Sequence, residues 1–140
     1  MAVPTAAATT SAVSAAVTAT APVIVQYIAI RRDLLKTLKW TFGSVATQAC
    51  HASSAAIWTF RKHPCTEEYL SDEQIDRMHK VVVEVADEAA LWQLGDQLKE
   101  KNIDHKLWLE QPEAIPTAIA TRPYVKSEIQ DVFRPFKLFR

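Results

Sequence analysis

The chain has 140 residues, 23% of them charged and 49% apolar, with a formal net charge of zero. That length fits one domain, and neutrality removes any bulk-charge argument for nucleic-acid or membrane binding. Two cysteines, Cys50 and Cys65, are too few for a disulfide scaffold and fit reduced thiols in a cytosolic protein.

Residues 1–21, "MAVPTAAATTSAVSAAVTATA", are almost all Ala, Thr, Val and Ser. The stretch lacks the basic start and dense apolar run of a signal peptide, and the apolarity of a spanning helix. The first arginine is Arg31, so an arginine-rich presequence is also not visible. A disordered low-complexity tail is expected here, in a cytoplasmic protein, with mitochondrial import the open alternative.

A domain over 22–140 then begins with "VIVQYIAI", residues 23–30, whose β-branched run predicts a central strand. "RRDLLKTLKWTFG" reads as a polar loop. Residues 44–62 form a helix, with no proline before Pro64. "TEEYLSDEQIDRMH" reads as short acidic helical segments. "KVVVEV", residues 80–85, is a second strand. Asp87 caps the next helix, Leu91, Leu94 and Leu98 form its buried stripe, and Lys99 and Lys101 suit its end. Strands at 104–109 and 116–121 follow, joined by too few residues for a crossover helix, so they pair antiparallel if adjacent. "KSEIQDVF" is a last short helix, stopped by Pro135. The alternation predicts an α/β fold with a mixed sheet.

Charge is unevenly placed. Residues 31–62 carry a net +5, residues 63–113 a net −8 and residues 114–140 a net +3. The two basic stretches are able to share one face.

On the 44–62 helix, Ser44, Gln48, His51 and Ala55 fall on one narrow stripe, and Val45, Ala49, Ala52 and Ala56 on its neighbour. The small residues suit close packing on a sheet. The polar stripe presents hydroxyl, amide and imidazole to something else. Spacing alone fits backbone hydrogen bonding by Gln48 and His51 as well as chemistry. A metal reading through Cys50, His51, His63 and Cys65 is poor, because adjacent helical residues point about 100° apart. No metal is expected.

"RRDL" after the first strand and "VATQACHA" on the helix resemble the type 2 peptidyl-tRNA hydrolase family. The likeness continues through "KVVVEVADEAALWQLGDQLKEKNIDHKLWLE", covering about residues 22–140; "LWLEQPE" and "ATRPY" resemble one branch of that family. It implies a three-layer fold, a four-stranded mixed sheet with helices on both faces. It also implies hydrolysis of the ester joining a peptide, or an N-blocked amino acid, to tRNA. tRNA is then the partner, without cofactor, DNA or membrane. In the chemistry so implied, His51 is the base and Gln48 or Glu110 orients it or the water. Arg31, Arg32, Lys36 and Lys39 are candidates for tRNA phosphate. Two features depart from the family. Its helix lysine aligns with Ser44. Its acid- and threonine-bearing loop is replaced by "LEQPEAIPT", where Glu110 is the nearest counterpart of the acid and Thr117 a poor one for the threonine. These departures favour an alternative, a catalytically weak or inactive member that binds tRNA or a protein partner.

Overall fold

The structure is a computed structural model that describes Ala2 and residues 20–140. The expected tail lies almost wholly outside these. The first strand, β1 (Ile24–Arg31), is the centre of the sheet. A short helix, α1 (Asp33–Lys36), follows where a loop was expected, and the long helix α2 (Phe42–Thr59) comes next. The acidic stretch forms α3 (Pro64–Tyr69) and a 3-10 turn at Ile75–Arg77. Then come β2 (His79–Val85), α4 (Glu88–Glu100), β3 (His105–Glu110), β4 (Ile115–Thr121), the two-residue β5 (Tyr124–Val125) and α5 (Lys126–Phe133).

The four long strands lie in the order β2-β1-β4-β3, and β5 pairs with the start of β1, which makes five strands rather than four. β1 and β2 run parallel, from Val25 opposite His79 to Arg31 opposite Val85. β4 is antiparallel to both β1 and β3, so the sheet is mixed. Every residue of β1 after Ile24 is buried, as a strand covered on both faces requires.

Strand periodicity divides the core in two. Val25, Tyr27 and Ala29 face α4 and α5 with Val83, Leu91, Leu94, Leu98, Ile129 and Phe133. Ile28 and Ile30 face α2 with Leu34, Val45, Ala52, Ala56, Ala118 and Ala120. The expected three layers are therefore present, with alanines at the α2 contact letting the helix lie close. Leu91, Leu94 and Leu98 are fully buried, each stabilising the fold by roughly 1.5–3 kcal/mol. Asp87 caps α4, its Oδ1 accepting from Ala90 N at 3.0 Å.

The chain after Pro135 was not anticipated as structure. It runs antiparallel along β2, with Glu84 N donating to Lys137 O at 2.9 Å and Phe139 N to Val82 O at 3.0 Å. This covers an otherwise open sheet edge. No helix among the described residues is long and apolar enough to cross a membrane.

Candidate active site

The C-terminal ends of β1, β2 and β3 and the start of β4 share one edge of the sheet, where ligands of open α/β sheets bind. The N-terminus of α2 opens at the same edge. Thr41 caps it, its hydroxyl oxygen accepting from Ser44 N at 3.1 Å and its O–H donating to Ser44 Oγ at 3.0 Å. The loop before it is tied back, Trp40 N donating to Leu34 O at 2.8 Å, with Lys39 in the left-handed region at φ 58°. A cleft of about 530 Å³ is lined by Lys39, Trp40, Ser44, Thr47, Gln48 and Glu110, together with Thr41.

Gln48 is the hub. It is only 3% exposed, and every polar atom of its amide is engaged. Thr117 Oγ1 donates to Gln48 Oε1 at 2.8 Å, from a side chain with no exposed surface. Gln48 Nε2 donates to Ser44 O at 3.2 Å and to Glu110 Oε2. The amide orientation is thereby fixed, and so is the carboxylate. Glu110 Oε1 also accepts from Gln111 N at 3.1 Å. The Gln48 bond, first, and the Gln111 amide and His51 charge after it hold the Glu110 carboxyl below the usual carboxylate range. Glu110 is a firmly ionised, oriented acceptor at neutral pH.

His51 sits one helical turn beyond Gln48. Its imidazole stacks on Trp108 of β3, centroids 4.5 Å apart and planes 17° from parallel. It does not line the cleft itself, but it is near enough for its charge to lower the Glu110 pKa. The structure thus gathers Gln48, Glu110 and Thr117 directly and places His51 beside them. Thr117, a poor counterpart on sequence, proves central to the arrangement. The available signal was its place in a strand of otherwise apolar or small residues, where a buried hydroxyl needs a partner.

The four basic candidates separate. Arg31 is internal, 5% exposed, and committed: its Nε and Nη2 donate to Asp33 at 3.0 and 2.8 Å, and Nη1 donates to Pro116 O at 2.9 Å. It ties β1 to α1 and to the start of β4, and the Asp33 bonds push its pKa up. It therefore stands apart from the surface cations, with its guanidinium engaged inside the fold. Arg32 is half-buried; Lys36 and Lys39 are exposed, and Lys39 enters the cleft. For the thiols, Cys50 is exposed on α2, while the Cys65 amide donates to His63 Nδ1 at 3.1 Å to start α3. Among the described residues no three His, Cys, Asp or Glu side chains converge as a metal ion requires.

The family described as Peptidyl-tRNA hydrolase PTH2 matches residues 24–139. The "Putative peptidyl-tRNA hydrolase PTRHD1" of Homo sapiens is 49% identical over 119 residues, covering 84% of each chain. The Mus musculus protein of the same name is 48% identical over the same span and coverage. The chain belongs to the peptidyl-tRNA hydrolase PTH2 family.

Proposed function

We propose that the protein hydrolyses the ester between a peptide, or an N-blocked amino acid, and tRNA. The observation that carries this is the Thr117–Gln48–Glu110 chain, which fixes one carboxylate at the mouth of a cleft at the α2 N-terminus. Such a site needs no cofactor. His51, beside the cleft against Trp108, takes a proton from water as the water oxygen attacks the ester carbonyl carbon. Glu110, anionic nearby, favours the imidazolium that forms. The bond from the carbonyl carbon to the ribose oxygen breaks, and the imidazolium returns the proton to that oxygen. Gln48 and Thr117 are positioning residues, acting through Glu110. Lys39, which lines the cleft, offsets negative charge that develops on the carbonyl oxygen. Ser44 supplies no charge where the family carries lysine, which favours a slow enzyme over a fast one. The chemistry of translation fits a cytoplasmic location.

The test is a hydrolysis assay on N-acetylaminoacyl-tRNA with His51→Ala beside wild type. His51→Ala should lower kcat on the order of a hundredfold while tRNA affinity changes little. Rates that merely follow the folded fraction would make His51 structural. A wild type that binds tRNA without turnover would leave the binding-only reading.

A further inference from the structure

The two basic stretches of the sequence meet at one rim of the fold. The C-terminal segment, laid along β2, brings Lys137 and Arg140 beside Arg32 at the end of β1. A groove of about 450 Å³ is lined by Arg32, Glu84, Lys137, Leu138 and Arg140. A second, of about 570 Å³, shares Arg32, Glu84 and Lys137 with the first and extends to Lys36 at the end of α1. Three residues on, Lys39 lines the cleft of Gln48 and Glu110. Five cations therefore follow one another from the cleft outward: Lys39, Lys36, Arg32, Lys137, Arg140.

The acids nearby do not cancel this track. Asp33 is taken by the buried Arg31. Glu84 lies 3.6 Å from Arg32 and Glu110 shares the cleft with Lys39, two carboxylates against five cations. Arg32 is held in place, its guanidinium 5.3 Å from the Phe139 ring centre and its Nη1 donating to Arg140 O. Its Nε is buried and faces Glu84 Oε2 at 3.6 Å, so the terminal nitrogens are the part of the guanidinium left for a ligand.

We propose that this track binds the phosphodiester backbone of the RNA whose acylated end lies in the cleft. What occupies the cleft rests on the ester-hydrolysis reading above; the track itself rests on charge and shape. A single covalent polyanion that starts at the cleft has to leave it along some surface, and this surface carries cations at successive steps. Such contacts fix position without reading sequence.

The probe is an N-acetylaminoacyl-tRNA analogue in which an amide replaces the ester, titrated across a salt series. Lys137→Glu combined with Arg140→Glu should weaken binding at least tenfold at low salt. The slope of log affinity against log salt should fall by about one to two units. Lys36→Glu, on a different element, should weaken binding severalfold and lower the slope by about one. Neither change should weaken a short acylated oligonucleotide spanning the cleft alone by as much. If the double variant does not fold, Lys36→Glu decides. Unchanged affinity and salt slope in Lys36→Glu and in a folded double variant would overturn the track. Wild type that hydrolyses the ester with those results would overturn the track alone. Wild type that hydrolyses nothing, yet loses tRNA affinity in both variants, would uphold the track and overturn the hydrolase reading.

Discussion

Gln48→Met removes the amide while nearly keeping its volume, so no large cavity complicates the result. The Thr117 hydroxyl, wholly buried, loses its acceptor. An unsatisfied buried hydroxyl costs about 1–3 kcal/mol, and about 2 kcal/mol corresponds to a melting temperature lower by about 5–10 °C in a domain of this size. Ser44 O lies near the surface and regains water. Glu110 loses the donor that contributes most to its lowered pKa, so its carboxyl rises toward the ordinary value. That predicts two pH effects. The stability that Glu110 draws from Gln48 is present above the ordinary carboxylate pKa and fades as pH falls through the lower folded value. The gap between wild type and variant should therefore narrow in acid, while the Thr117 share persists. In catalysis the ionised carboxylate is required, so the acid limb of kcat/KM should move to higher pH in the variant. Thermal melts at neutral and acid pH, with a pH–rate profile, measure both. A melting temperature unchanged within about 1 °C and an unmoved acid limb would refute the hub role assigned to Gln48.

Thr117→Val leaves Gln48 Oε1 without its donor and should cost about 1–2 kcal/mol. Combined with Gln48→Met, it should cost less than the two singles together by about 1 kcal/mol, and additive losses would separate the two side chains. Arg31→Met strips Asp33 and Pro116 O of their partner and should destabilise by about 3 kcal/mol in denaturant titrations, with Arg31→Lys a poor rescue. Arg32→Met should cost less than about 1 kcal/mol, and equal losses at the two positions would contradict the division drawn between them. Ser44→Lys adds a cation one turn from Gln48 and should raise turnover severalfold; a folded, tRNA-binding variant with no gain would point to the rebuilt 110–117 loop as what limits the rate.

Local pattern carried the layer structure. The β-branched run before Arg31, the leucine stripe of α4 and the alanine stripe of α2 each state which face is buried, and the two sheet faces follow. What stayed hidden depends on contacts between distant segments. Lys137 and Phe139 become strand-like only because β2 offers an open edge, which no local feature near Pro135 announces. α1 is four residues long, too short for periodicity to register. Gln48 and His51 were visible as an interruption of a small-residue helix, but their partners were not. Thr117 lies 69 residues from Gln48, and only strand register brings it across. Arg31 looked like an exposed loop cation because its neighbour Asp33 and the Pro116 carbonyl cap it only in three dimensions. Gln26 was a similar unread signal: a fully buried amide in an apolar strand, bonded to Ser53 and the Thr121 carbonyl, with Lys80 Nζ donating to its Oε1 at 2.6 Å.

The central claim is ester cleavage by an activated water, and the most direct measurement is turnover of N-acetylaminoacyl-tRNA in heavy-oxygen water. Mass spectrometry then follows both products. The account predicts release of the N-acetyl amino acid by wild type, with one heavy oxygen in its carboxylate and none in the freed ribose hydroxyl, and loss of that release in His51→Ala. A well-folded wild type that binds the tRNA and releases no more labelled product than buffer alone would contradict it.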